Sequence, residues 1–146
     1  MMSSGSGKGY EFIEHTADIA IKAYGATLEE AFAVAGGALF DIITDNSKIE
    51  PKETIAFETE SVDAEGLLVG FLSQLIVMYE VEGYLLTDFE VTFVDTRHLK
   101  ITARGEKFDK SQHGRGHHVK GVSYHMMEIV ESEEGRPCHV QVLFDV

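Results

Sequence analysis

The chain has 146 residues, 44% of them apolar, and a formal net charge of −13. That length supports one domain with a core large enough to fold unaided, and the single Cys138 excludes an internal disulfide and fits a reducing, cytoplasmic setting. The acidic balance excludes tight, direct nucleic-acid binding, because phosphate contacts supply most of that affinity and need a basic patch; cations and basic protein surfaces are the favoured partners.

Residues 1–9, MMSSGSGKG, lack the apolar stretch of a signal peptide and are read as a flexible tail ahead of a domain at residues 10–146. No apolar run approaches the roughly 20 residues of a membrane span, so no membrane is expected. Tyr10–Ile13 and Ile19–Tyr24 read as short strands flanking the polar corner His15-Thr16-Ala17-Asp18. Gly25 ends the second. Thr27-Leu28-Glu29-Glu30 is a capping box, and Leu28, Ala31, Phe32, Ala35 and Leu39 then recur at helical spacing. Gly36-Gly37 weakens that helix or admits another backbone. Asp41–Ser47 is expected to be its polar exit.

Thr54–Glu60 alternates as a strand. Ser61–Glu65 offers caps for a second helix, whose apolar residues run from Leu67 to Tyr79 and which stops at Glu82-Gly83. Phe89, Val91 and Phe93, then Leu99, Ile101 and Ala103, alternate around the turn Asp95-Thr96-Arg97 and predict a hairpin. Arg104–His118 has no sustained period and reads as a long loop holding the only basic cluster, between Lys107 and Lys120. Val119–Val122 and Met126–Val130 are further strand pieces, Glu133-Glu134-Gly135 a turn, and His139–Phe144 the closing strand. Two helices among many short strands predict an α+β domain, with the helices packed on an antiparallel sheet.

Three places carry chemistry. Asp18 and Asp145, with the terminal residue Val146, offer the oxygen donors that Ca²⁺ or Mg²⁺ prefers. The plainer alternative makes Asp18 a turn acid and Asp145 an exposed end. His113, His117 and His118 have a spacing that matches no structural zinc pattern, and they read as solvated loop residues. Lys120 stands beside Tyr124 and His125 in KGVSYH; its ammonium suits a phosphate or an acidic site, and the other two suit proton transfer or support of a metal ligand, as does His15.

HTAD at His15–Asp18, the D-x₃-L-x₃-FL helix at Asp63–Leu72, GEKFD at Gly105–Asp109, KGVSYHMMEI at Lys120–Ile129 and VLFDV at Val142–Val146 together resemble the archease family, in order and across nearly the whole chain. The resemblance implies a small acidic cytoplasmic α+β protein. It implies a non-enzymatic activator of an RtcB-type RNA ligase in tRNA splicing, promoting guanylylation and multiple turnover. It also implies a divalent-metal site, calcium in the family with Mn²⁺ or Mg²⁺ compatible, at Asp18, Asp145 and Val146, and a functional lysine at Lys120. A metal-dependent phosphoesterase or other hydrolase using His15, Asp18 and His125, and a plain calcium-binding module, are the rival readings.

Overall fold

The structure is a computed structural model describing residues 8–15, 18–132 and 135–146, with the side chains of all of these except Glu14 and His15. In chain order its elements are β1 (Gly9–His15), β2 (Asp18–Gly25), α1 (Leu28–Ile43), a 3-10 turn (Asn46–Lys48), β3 (Glu53–Glu60), α2 (Ala64–Glu82), β4 (Tyr84–Asp95), β5 (His98–Lys107), β6 (Gly121–Val130) and β7 (Cys138–Asp145). The Thr16-Ala17 corner, the Glu133-Glu134 turn and residues 1–7 of the expected tail lie outside the described residues. Gly9, assigned to that tail, already belongs to β1.

The α+β expectation holds, with one correction: the antiparallel strands form two sheets, ordered β1-β2-β7-β6 and β3-β5-β4. The reason lies in α1. Ala31, Phe32, Ala35, Gly36, Ala38, Leu39, Phe40, Ile42 and Ile43 are all buried, which is more than one face of a helix can hide against a single layer. α1 packs on β2 and β7 of one sheet and on β4 of the other. At Gly36 a Cβ would stand 3.0 Å from the Phe71 ring and 3.2 Å from the Phe89 ring. The glycine thus admits two aromatic side chains rather than a backbone.

The capping box forms as read from the sequence: Thr27 Oγ1 accepts the Glu30 amide at 3.1 Å. Glu30 reaches back one residue further than expected, its Oε1 accepting the Ala26 amide at 2.8 Å. Thr27→Ala leaves a first-turn amide without its side-chain acceptor and is expected to cost about 1 kcal/mol in urea denaturation. The helix does not exit at Asp41 but continues through the buried Ile42 and Ile43, and Asp41 Oδ2 accepts the Tyr10 hydroxyl at 2.5 Å, which ties α1 to β1. Burial, then the hydrogen bond and charge of Asp41, hold the Tyr10 phenol above its ordinary pKa.

α2 starts at Asp63, whose side chain accepts the Gly66 amide at 2.8 Å, and stops at Gly83, which takes a left-handed φ of 75°. By length and composition alone α2 matches a membrane span, contrary to the reading that no apolar run comes close. In the fold it is a core helix, with Leu67, Leu68, Phe71, Leu72 and Leu75 fully buried and its flank packed on β6 and β3. β5 runs on to Lys107, so the predicted loop begins only at Phe108.

Candidate functional site

β2 begins at Asp18 and β7 ends at Asp145, and the strand register sets these two residues directly opposite one another. On one side His15 of β1 pairs with Asp18; on the other Gly121 of β6 pairs with Asp145. The amide of Lys120 donates to the Asp145 carbonyl at 2.8 Å. The motifs HTAD, KGVSY and LFDV, separated by as much as 130 positions in the chain, therefore meet in one row at the end of a four-stranded sheet. Three antiparallel pairings produce that row, and none of them is written in local sequence.

Along β7 the residues Val140, Val142 and Phe144 belong to the core, so Gln141, Leu143 and Asp145 take the outer face. Asp18, opposite Asp145, shares that face. Asp145 and Lys120 are exposed, and Asp18 is half-buried. Directly opposed residues on antiparallel strands hold their Cβ atoms about 4.5–5.5 Å apart, and two carboxylates there repel. A cation beside them reverses the sign of that contact. The donors are carboxylate oxygens, which fit Ca²⁺, Mg²⁺ or Mn²⁺ and not a thiolate- or imidazole-seeking ion.

Among the described residues no three His, Cys, Asp or Glu side chains gather as a closed metal cage. The edge thus offers two side-chain carboxylates, with the main-chain oxygens of neighbouring Val146 as the further donor the resemblance implied. An ion held by so few protein donors would keep most of its coordination positions for water, the usual arrangement for a small hard cation.

The other candidates separate. His15 has its backbone in the row, and its side chain lies outside the described set. Tyr124 and His125 are exposed and stand on an irregular part of β6, with the His125 amide donating to Ser123 Oγ at 3.0 Å. Cys138 is buried and its thiol faces the Ala26 carbonyl at 3.8 Å, at the far end of β7 from Asp145.

The reading of His113 as a solvated loop residue is corrected. It is 3% exposed, its Nδ1 accepts the Asp109 amide at 2.9 Å, and its Nε2–H donates to Glu106 Oε2 at 2.8 Å. Glu106, 5% exposed, also accepts the Glu50 amide at 2.9 Å and lies 3.5 Å from Lys52 Nζ. Burial pushes the Glu106 carboxyl up, but the Glu50 amide, His113 and Lys52 outweigh it and hold the group below the usual carboxylate range. From this latch the segment runs along the end of α1, where the Gly116 and His117 amides donate to the Ile43 and Ile42 carbonyls at 2.7 and 2.9 Å. It then delivers Lys120 to Asp145. His117 and His118 stay exposed, and His118 Nε2 lies 2.7 Å from Glu80 Oε1. The GEKFD motif held the only sequence signal for the latch.

The profile of the Archease protein family (MTH1598/TM1083) matches residues 10–146. The chain belongs to the archease family. Protein archease of Pyrococcus abyssi is 44% identical over 132 residues, covering 88% of this chain and 93% of the relative. The archease-like protein of Drosophila melanogaster is 32% identical over 140 residues, 94% of this chain and 90% of that one. The solution structure of Methanobacterium thermoautotrophicum protein 1598 superimposes with a TM-score of 0.78 at 35% identity, over 94% of this chain and 98% of that one. The crystal structure of an archease from Thermotoga maritima, described as a possible chaperone, gives a TM-score of 0.63 at 22% identity over 92% and 94% of the two chains, which supports the shared fold. The archease sequence motifs and the archease fold thus coincide in this chain.

Proposed function

We propose that this archease-family protein is a non-enzymatic, cytoplasmic activator of an RtcB-type RNA ligase in tRNA splicing. It promotes guanylylation of the ligase and multiple turnover through an acidic edge that binds a divalent cation, Ca²⁺ in the first instance. The observation that carries this reading is the register that opposes Asp18 and Asp145, with Lys120 bonded to the same residue. Two carboxylates on an exposed sheet end suit entry into another protein's metal centre better than the enclosure of a small substrate. A bound cation supplies charge neutralisation at a phosphate, the main requirement of nucleotidyl and phosphoryl transfer. Asp18 and Asp145 hold it, and the exposed Lys120 meets a phosphate or a ligase carboxylate at the same exposed end of the sheet. The net charge of −13 favours a cationic cleft over free RNA.

The test is RNA ligation by the host's RtcB-type ligase with GTP and Mn²⁺, with and without this protein. The expected result is a rise from about one product per ligase to many. Hydrolysis of a generic phosphodiester or ester without any ligase would favour the hydrolase reading instead. Calcium binding with unchanged ligase turnover would leave a plain calcium-binding module.

A further inference from the structure

β6 lies at the edge of its sheet, and its pairing with β7 breaks in mid-strand. Ser123 stands opposite Leu143 and Glu128 opposite Gln141, so the four residues Tyr124–Met127 face the single Val142. Three residues are in excess over a regular ladder, a larger departure than the one-residue bulge common at sheet edges. Met126 sits at its crest with φ of 60°, a left-handed conformation that a long side chain rarely adopts. Its carbonyl accepts a hydrogen bond at 2.9 Å from Gln141 Nε2, and Gln141 is 8% exposed on the outer face of β7. The Ser123 hydroxyl fixes the base of the excursion through the His125 amide. A buried amide and a strained backbone are thus committed to holding out two large apolar side chains, Tyr124 at 60% exposure and Met126 at 42%. Strain held in place by surrounding structure is characteristic of binding and switch regions.

The placement gives the excursion its meaning. Gln141, which holds Met126, shares the outer face of β7 with Asp145, and Ser123 is two residues beyond Gly121, the neighbour of Asp145. We propose that Tyr124 and Met126 form a preorganised docking knob, continuous with the Asp18–Asp145 edge, that fills an apolar pocket beside the metal or phosphate site of the partner protein. The inference rests on the ligase-activator reading and assigns its docking contact: the acidic edge acts, and the knob binds. Aromatic and methionine side chains are enriched at the cores of protein interfaces, and a rigid knob avoids the ordering cost of a flexible one. Gln141 is a positioning residue for this contact.

The experiment measures binding of the full chain to the purified host ligase, together with turnover at saturating protein. Tyr124→Ala removes one anchor. Met126→Gly removes the other while leaving a residue that accepts positive φ, so the backbone path survives. Each is expected to raise the Kd about thirtyfold, the loss typical of a buried interface anchor, with maximal turnover and Ca²⁺ affinity unchanged. Gln141→Leu is expected to raise the Kd less, because both anchors remain and only their support is lost. Asp18→Ala serves as the converse, lowering maximal turnover. An unchanged Kd for both knob variants overturns the knob while the activator reading stands. Lower maximal turnover at an unchanged Kd also overturns it, since these residues would then act rather than dock. Failure of the unaltered protein to bind or activate the ligase overturns the functional reading and the partner named here with it.

Discussion

Asp18→Ala and Asp145→Ala are each expected to return ligation to about one product per ligase, the level without this protein, while the fold persists. The two residues are directly opposed at the end of β2 and β7, so under the proposed function they act together and either loss should be complete. Their effects should therefore not add, since the double variant has no second site to lose. Asp145 is exposed, and removing one of two opposed like charges relieves a repulsion of about 0.2–1 kcal/mol. The thermal midpoint of Asp145→Ala in metal-free buffer should accordingly hold or rise. In the unaltered protein added Ca²⁺ should raise the midpoint, because an ion that binds only the folded state stabilises it by mass action; in either variant that rise should vanish. Asp18→Asn and Asp145→Asn, close in shape to the originals, should behave like the alanine variants if charge is what matters. Full ligase turnover in Asp18→Ala would remove Asp18 from the site. Equal Ca²⁺ response in all the variants would place the cation elsewhere.

Most of the elements were legible in the sequence, because their signals are local. The α1 cap was written in Thr27 and Glu30, the stop of α2 in Gly83, and the β4–β5 hairpin in two alternating runs about Asp95-Thr96-Arg97. The split into two sheets was not legible, since it follows from which strands α1 separates and not from any one strand's pattern. The break in β6 appeared in the sequence as two strand pieces either side of Ser123–His125, but not as a single strand with a held excursion. That form depends on Gln141, a residue with no signal of its own within a strand. In the sequence, only the chemistry of two carboxylates and the family resemblance point to a pairing of Asp18 with Asp145; long-range register makes them neighbours. His113 departs from its expected solvation for the same physical reason, a partner distant from its own local sequence. A histidine among glycines and lysines looks solvated, and its burial depends on Glu106, seven residues away on β5.

That latch carries the second large effect. Glu106→Ala is expected to destabilise the protein by roughly 1–3 kcal/mol for each buried donor that it leaves unsatisfied. The truncation strands two donors at once, the Glu50 amide and His113 Nε2–H, both of which now point at its Oε2. Lys52 is largely exposed and contributes little of this. Glu106→Gln should cost less, because an amide oxygen in the place of Oε2 still accepts both bonds, without the charge. The pH dependence has a definite sign. The folded-state pKa of Glu106 lies below the ordinary carboxylate value, so its charged form stabilises the fold above that value. This contribution is lost as pH falls through the folded pKa, on the acid side of the usual carboxylate range. Urea denaturation of Glu106→Gln against pH should therefore show a shallower acid limb than the unaltered protein. His113→Ala leaves Glu106 with the Glu50 amide and Lys52, and paired with Glu106→Ala in a double-mutant cycle it should show a coupling of about 1–3 kcal/mol. A loss below about 0.5 kcal/mol in Glu106→Ala, the range of an ordinary surface substitution, would mean that the buried pair does not hold the segment leading to Lys120.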